Sequence, residues 1–306
     1  MQQYSALFGF QAMIFLLTAA GFILRKLSII DPHTRKGITD FVIYFVLPCN
    51  IINSFFIKLN ADVLRACAVI LVVSILIQIM CGILGRVLYR HVPHEQRTVM
   101  RYGTLCPNSA FLGTPLVEGV YGAEGVVLAS IYLIPQRIVM WSAGVAAYSG
   151  TKDDHVVKKV LTHPCVIAAG VGILIMIFQV PMPVFFKNTV GTVSNATVSL
   201  SMIVVGGILA EIDIKTVISR QTIYYSFIRL ILLPSIVLFS CKLLGLAPLA
   251  SSVAVILTAM PAGTTTAILA EKYGCDSGFA VKCVFLSTVL SLVTIPLLCI
   301  LADFVL

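Results

Sequence analysis

Two proline-containing segments, Cys106-Pro107-Asn108-Ser109-Ala110 and Met260-Pro261-Ala262-Gly263-Thr264, interrupt apolar stretches of the chain, and their prolines lie 154 residues apart. Proline has no amide hydrogen and its ring clashes with the preceding turn, so each segment predicts a broken helix. Hydrocarbon cannot satisfy the freed backbone groups, which persist at membrane depth only beside protein, water or a ligand. Paired broken helices in corresponding halves of a chain are typical of secondary transporters.

The composition predicts an integral membrane protein. Apolar residues make up 59% of the 306 positions and charged residues only 11%, with a mean hydropathy of +1.02. Most apolar runs exceed the roughly 17 residues that cross about 30 Å of hydrocarbon. We therefore predict an all-α integral membrane fold with ten spans. The predicted spans are Ser5–Leu24, Ile38–Ile57, Ala66–Tyr89, Thr98–Tyr121, Ala123–Tyr148, Pro164–Val180, Lys187–Ala210, Gln221–Leu244, Leu249–Tyr273 and Phe279–Phe304.

The positive charges are distributed unevenly between alternate loops. Fifteen Lys and Arg residues fall in or near the loops on one side, whereas only four fall on the other, namely Lys58, Arg65, Lys187 and Lys242. Loops rich in Lys and Arg stay in the cytoplasm. The bias therefore predicts a multi-pass membrane protein with both termini outside the cytoplasm. The net charge of +8 comes largely from these cytoplasmic loops. We therefore expect the lipid bilayer, and not nucleic acid, as the partner.

The polar connection 151–162 leaves five spans on each side, in residues 1–150 and 163–306. Because five is an odd number, the second half is inverted relative to the first. The broken spans four and nine both end in Tyr-Gly before a tight connection, at Tyr121-Gly122 and Tyr273-Gly274. Together with the matching breaks, this pattern predicts two inverted five-helix repeats in which broken helices four and nine cross.

Several motifs resemble those of the auxin efflux carrier family, which joins plant auxin carriers to short bacterial permeases. The most specific are Leu105-Cys106-Pro107-Asn108-Ser109-Ala110-Phe111-Leu112-Gly113-Thr114-Pro115-Leu116, His163-Pro164, Ala259-Met260-Pro261, Ala270-Glu271-Lys272-Tyr273 and Leu286-Ser287-Thr288-Val289-Leu290-Ser291-Leu292-Val293-Thr294-Ile295-Pro296-Leu297. The resemblance covers most of the chain and implies a bile acid/auxin carrier-like fold in a multi-pass protein of the bacterial cytoplasmic membrane. It also implies a scaffold of spans one, two, six and seven, a transport domain of spans three to five and eight to ten, a homodimer formed through the scaffold, and an elevator-type motion.

The chain departs from the plant members of that family in one feature. The plant proteins carry a long cytosolic insert between the two halves, whereas the connection here is 151–162. We therefore expect a small organic anion such as a carboxylate as the substrate, and not auxin.

Both breaks are predicted to lie near the membrane midplane. Nine residues of each span lead up to its break, Thr98–Cys106 and Ser251–Ala259, which is roughly 14 Å of helix at about 1.5 Å per residue. Because the spans run in opposite directions, the second half-helices bring their amino ends to one central region. Such ends carry free amide donors and about half a positive charge, which suits a carboxylate.

The candidate substrate-binding residues lie at these helix ends and in span five. They are Pro107, Asn108, Ser109, Arg137, Pro261, Gly263, Thr264 and Thr265. The Asn108 side chain can both donate and accept hydrogen bonds, and the hydroxyl groups can cap a helix end or contact a ligand. The alternative is that the hydroxyls serve only as caps and that Asn108 only satisfies the broken backbone.

Arg137 is predicted to lie deep in the membrane, fourteen positions after Ala123 and thus about 21 Å into span five. An intramembrane cation is costly and normally faces a polar cavity or a partner. Two roles remain open, because Arg137 can bind the substrate or can permanently bind backbone carbonyls of the broken helices. Arg229, nearer the inner end of span eight, is predicted to reach the interface in a structural role.

Span two contains a third predicted interruption, at Leu47-Pro48-Cys49-Asn50. Pro48, Asn50 and Asn53 are predicted to line the pathway as a polar strip. The alternative is a proline kink with packed amides. All Asp and Glu residues fall near span ends, so Glu118 and Glu271 are predicted to be solvated helix-end residues. The alternative is that one of them is a mobile coupling carboxylate.

The chain carries no HExxH, GxSxG or Walker-type sequence, and its nine cysteines form no CxxC pair. We therefore predict no catalytic residue, no metal site and no cofactor, and we do not expect an enzyme. The predicted function is secondary transport of a small organic anion by elevator-type alternating access. The alternative is a ligand-sensing or channel-like membrane protein on the same fold.

Overall fold

The structure is a computed structural model that describes residues 2–56, 61–140, 144, 147–148, 162, 164–210, 217–263 and 265–306. Every helix or strand segment assigned within these ranges is helical, which confirms the predicted all-α class. Six helical segments in this part of the chain, two of which contain a turn described below, are long and apolar enough to cross a membrane. The connection between the halves, apart from Thr162, and the candidate residue Thr264 lie outside the described residues.

The helices are numbered after the predicted spans that they overlap. In the first half they are α1 (Gln2–Lys26), α2 (Pro32–Ser54), α3 (Ala61–Leu88), α4a (His94–Leu105), α4b (109–121) and α5 (123–139). In the second half they are α6 (Pro164–Phe178), α7a (Val184–Ser194), α7b (Thr197–Leu209), α8 (Arg220–Leu243), α9a (Pro248–Thr258), α9b (Thr265–Lys272) and α10 (Ser277–Val305). Spans four and nine are divided as predicted, and a turn at Asn195 and Ala196 also divides span seven, which was predicted to be continuous.

In three helices of the described ranges, a π-helical turn ends two residues before a proline. The turns are Val42–Val46 before Pro48, Ser109–Gly113 before Pro115, and Ile228–Leu232 before Pro234. A proline ring clashes with the carbonyl four residues earlier, and the wider π turn accommodates it. The chain remains helical through Pro48, so the interruption predicted in span two is wrong, because the π turn absorbs the proline.

The chain reverses direction between α4b and α5 at Gly122, where φ is 60° and ψ is −151°. A β-carbon added to Gly125 would lie 3.1 Å from the carbonyl oxygen of Val117, eight residues earlier. In a continuous helix those residues would be about 12 Å apart along the axis. Gly274, before α10, has a φ of 69°. Both Tyr-Gly connections are therefore tight turns in a conformation that glycine adopts readily and other residues do not.

Helix α1 packs tightly against α7b through small residues. A β-carbon added to Gly21 would collide with the carbonyl of Ile203, and one added to Gly206 would collide with the carbonyl of Thr18. Glycines at such positions let two helix backbones approach closely in a membrane. This contact therefore joins an early helix of the first half to one of the second half.

Replacing Gly122 by Ala should destabilise the protein, because its φ and ψ lie in a region that is essentially restricted to glycine. We expect a loss of roughly 1–3 kcal/mol in unfolding free energy, measured by SDS-induced unfolding of detergent-purified protein. Gly37→Ala is the matched control, since no atom lies within 4 Å of a β-carbon added at either glycine. Gly37 is helical, so its replacement should be neutral or stabilise by up to about 1 kcal/mol. Equal effects at both positions would contradict the turn at Gly122.

Candidate functional site

The two broken segments lie across each other and pair as a short antiparallel bridge. The amide of Asn108 donates to the carbonyl of Pro261 at 2.8 Å. The amide of Gly263 donates to the carbonyl of Cys106 at 3.2 Å. Exchanging the two segments exchanges these two bonds, so the pairing has local two-fold symmetry. Each break therefore satisfies backbone groups that the other leaves free, as burial in a membrane requires.

The crossing is too close to tolerate a side chain at Gly263. A β-carbon added there would lie 2.7 Å from the carbonyl oxygen of Cys106. That oxygen already accepts the hydrogen bond from the Gly263 amide, so it cannot move away without breaking the bridge. Gly263 therefore acts through its backbone, by allowing close approach.

Two further helices satisfy the backbone at the crossing, one from each half of the chain. The Gln136 side chain in α5 donates from Nε2 to the carbonyl of Pro107 at 2.9 Å. The Ser287 hydroxyl in α10 accepts from the amide of Ala262 at 3.1 Å. Sequence analysis quoted Ser287 only as part of the family motif in span ten and gave it no role, although a hydroxyl within that apolar span was a signal for one.

Two of the predicted substrate-binding residues build the crossing and do not line the cavity described below. Ser109 is fully buried, and its hydroxyl donates to the carbonyl of Leu257 at 3.0 Å, which fastens α4b to α9a. Pro261 supplies the carbonyl that accepts from Asn108. Their contacts are therefore structural.

Arg229 binds the carbonyl ends of both first half-helices. Its Nε donates to the Met260 carbonyl at 2.9 Å and its Nη2 to the Thr258 carbonyl at 2.6 Å, both at the end of α9a. Its Nη1 reaches the Thr104 carbonyl of α4a at 3.4 Å. A cation is favourable there because carbonyl ends of helices carry partial negative charge. The expected structural role is confirmed, but Arg229 is only 1% exposed, so the predicted position at the interface is wrong.

A cavity of about 330 Å³ lies beside the crossing, between α2 and α6 on one side and α4, α5 and α9 on the other. Five of the predicted substrate-binding residues line it, namely Pro107, Asn108, Arg137, Gly263 and Thr265. Most of the remaining wall is apolar and includes Ile43, Leu47, Phe111, Leu133, Met140 and Leu269. The structure thus collects the helix breaks and the intramembrane arginine around one cavity.

Arg137 is buried, with 7% of its surface exposed, and its side chain contributes to the cavity wall. Within the described ranges, its guanidinium has no hydrogen-bond acceptor and no carboxylate partner, and no Asp or Glu lines the cavity. Of the two roles left open by the sequence, binding of the broken-helix carbonyls belongs to Arg229 instead. The positive charge of Arg137 therefore remains available to a ligand.

The Asn108 side chain is also available. Its backbone amide joins the crossing, and its carbonyl accepts from Leu112 at 3.1 Å within α4b. The side chain makes no capping bond to α4b and lines the cavity. Gln136 also lines the cavity, and its Oε1 is buried without a partner among the described residues. The cavity thus offers both a donor and acceptors of hydrogen bonds, from side-chain amides, beside the arginine.

The polar residues of α2 that were predicted to line the pathway lie outside this cavity. Asn50 donates from Nδ2 to the Glu118 carboxylate at 2.9 Å and to the Ser194 hydroxyl at 3.0 Å. Glu118 thus has a partner and is not simply solvated, because α2, α4b and α7a meet at this point. Pro48 and Asn53 are half-buried, and neither they nor Asn50 line the cavity. These contacts agree with the alternative of packed amides.

Comparison with known proteins identifies the class of this one. The sequence profile of the family described as "Membrane transport protein" matches residues 8–156 and 153–299, which together cover nearly the whole chain. The chain belongs to this family of membrane transport proteins. It is the auxin efflux carrier family that the motifs indicated.

Two curated relatives of this membrane transport protein come from archaea. An "Uncharacterized transporter" of Methanothermobacter thermautotrophicus is 25% identical over 291 residues, which cover 93% of this chain and 94% of the relative. Another transporter of that description, from Methanocaldococcus jannaschii, is 23% identical over 295 residues, which cover 93% of this chain and 95% of the relative. Family and relatives are transporters, a class that is generally not enzymatic.

Arg229→Gln should destabilise the transporter, because several buried carbonyls would lose a charged donor. An unsatisfied buried group costs roughly 1–3 kcal/mol, so we expect unfolding free energy in detergent to fall by at least about 2 kcal/mol. Arg25→Gln at the end of α1 removes the same charge outside the crossing and should cost less than about 1 kcal/mol. Similar losses in the two variants would contradict the role of Arg229 at the crossing.

Proposed function

We propose that this membrane transport protein is a secondary permease for a small organic anion, and specifically for a carboxylate. The observation that carries the proposal is the buried Arg137 guanidinium, which faces a cavity at two helix breaks and has no partner among the described residues. A buried charge without a counter-charge costs several kcal/mol even after the surroundings relax. A bound carboxylate would supply the missing charge and accept two parallel hydrogen bonds from the planar guanidinium.

The cavity also favours an organic anion over an inorganic one. Its volume of about 330 Å³ lies at the small end of the range for ligand pockets. Apolar side chains such as Leu47, Phe111 and Leu133 form much of its wall, so they would pack against a short hydrocarbon body. The amino ends of α4b and α9b add partial positive charge near the carboxylate. We therefore expect a short aliphatic carboxylate to bind better than phosphate or sulfate.

The proposed mechanism is elevator-type alternating access. The cavity lies between α2 and α6, which we assign to the scaffold, and α4, α5 and α9, which we assign to the transport domain. A site on such a boundary changes its exposure when one domain moves against the other. The close packing of α1 on α7b supports a scaffold formed by α1, α2, α6 and α7. Helices α3 to α5 and α8 to α10 would then move together with the substrate.

The finer architecture belongs to the same proposal. We infer ten spans in two inverted five-helix repeats, supported by the reciprocal hydrogen bonds of Asn108 and Gly263 at the crossing and by the Tyr-Gly turns in both halves. The charge bias of the loops supports extracytoplasmic termini in a cytoplasmic membrane. A homodimer through the scaffold helices follows from the family resemblance alone.

The test begins with a thermal-shift screen of purified protein against short aliphatic mono- and dicarboxylates. For the carboxylate that stabilises the protein most, Arg137→Gln should weaken binding by roughly ten-fold to one hundred-fold. This range corresponds to the free energy of a hydrogen bond to a charged group. Arg137→Lys keeps the charge without the planar fork and should give an intermediate affinity. Neither variant should lower the stability of the unliganded protein, in contrast to Arg229→Gln, because Arg137 has no described partner to lose.

Asn108→Leu provides a second test of the site, and we expect it to weaken the binding free energy by about 1–3 kcal/mol. Asn53→Leu is its matched control, because Asn53 is half-buried in α2 but lies outside the cavity lining. Unchanged affinity in both Arg137→Gln and Asn108→Leu would refute the site. Uptake into vesicles separates a carrier from a channel-like protein, since a carrier saturates and exchanges substrate across the membrane, whereas a channel conducts without saturation.

A further inference from the structure

A second cavity, of about 450 Å³, lies between α3, α4a and α5 and is separate from the substrate site. It shares no lining residue with the first cavity. Its lining is apolar along most of its length, whereas Arg86 and Arg101 lie together at one end. We propose that this groove binds an anionic phospholipid, with the phosphate at the two arginines and an acyl chain along the apolar wall.

The position of the groove favours a lipid over a soluble ligand. Ile75 and Ile79 of α3 and Ile138 of α5 line it and are exposed on the outside of the molecule. Helix α3 spans 28 residues with a mean hydropathy of 2.8 in its most apolar window, so its exposed face meets hydrocarbon. Gly82 and Gly85 also line the groove, and the absence of side chains there leaves room beside Leu105. A molecule in this groove is therefore in contact with the bilayer interior.

The charges favour an anionic headgroup. Arg86 lies in the last turn of α3, and Arg101 lies seven residues after the first residue of α4a, about 10 Å along that helix. Neither guanidinium has a hydrogen-bond or carboxylate partner among the described residues, and no Asp or Glu lines the groove. Nearby Arg97, by contrast, donates to the Val92 carbonyl at 3.2 Å. Basic pockets between helices at the cytoplasmic surface suit acidic lipid headgroups.

A buried residue midway along the groove carries an unsatisfied polar atom. Gln78 is buried in α3, lines the groove, and its Oε1 has no partner in the described part of the chain. This atom is independent of the two arginines and gives the groove one polar position within its apolar wall.

The groove and the substrate cavity share one wall. Pro135 and Ile138 of α5 line the groove, whereas Gln136 and Arg137 of the same turn line the substrate cavity. A lipid in the groove therefore packs behind the turn that presents Arg137. All the helices concerned belong to one side of the proposed domain boundary, so the lipid would move with α5.

Lipid binding to detergent-purified protein can be measured by native mass spectrometry, with phosphatidylglycerol and phosphatidylcholine of the same acyl chains as probes. The wild-type protein should bind phosphatidylglycerol roughly ten-fold more tightly or better, since each basic residue near an acidic lipid contributes on the order of 1 kcal/mol, about a five-fold effect. The double variant Arg86→Gln, Arg101→Gln should lose this preference. Gly82→Leu should weaken binding of both lipids by filling the groove.

Arg90→Gln is the matched control, because Arg90 follows α3 closely but is absent from the groove lining and bonds to His91. It should retain the preference. The proposal is overturned if the double variant keeps the preference, or if the soluble headgroup glycerophosphoglycerol competes as strongly as the intact lipid. If the variants do not fold, photocrosslinking of the wild-type protein with a photoreactive phosphatidylglycerol tests the site instead. Labelling within 71–86 and 101–105 supports the site, and labelling confined to other segments refutes it.

Discussion

The antiparallel pairing of the two helix breaks is the interaction on which the remaining structure depends. Each break exposes backbone groups that hydrocarbon cannot satisfy, and the reciprocal bonds between Asn108 and Pro261 and between Gly263 and Cys106 satisfy them. This pairing leaves two kinds of helix end at mid-membrane. The carbonyl ends of α4a and α9a meet Arg229, and the amino ends of α4b and α9b border the cavity.

The two buried arginines illustrate how the surroundings decide the role of a charge. Arg229 donates to three carbonyls and is nearly inaccessible, so its charge is fully used by the protein. Arg137 was also predicted to lie deep in the membrane, but it lines a cavity, and its guanidinium has no hydrogen-bond acceptor among the described residues. The first arrangement stabilises the crossing, whereas the second is the basis of the proposed anion site.

Much of this arrangement could be predicted from the sequence, because proline and glycine impose local geometry irrespective of their neighbours. The breaks at Pro107 and Pro261 and the turns at Gly122 and Gly274 follow from backbone chemistry alone. Side-chain roles depend on three-dimensional neighbours and could not be predicted in the same way. Ser109 was predicted to be a substrate residue but points its hydroxyl at Leu257, and Pro48 was predicted to interrupt a helix that a π turn keeps continuous.

The central claim is that the crossing and Arg137 together form the anion site of a transporter. The most direct measurement is an experimental structure of the protein with the tightest-binding carboxylate, determined by electron cryomicroscopy in lipid nanodiscs. The account predicts ligand density in the cavity between α2 and α4b, with a carboxylate oxygen within about 3 Å of the Arg137 guanidinium and the Asn108 side chain in contact. Ligand density at another place, with Arg137 bonded to protein groups alone, would contradict it.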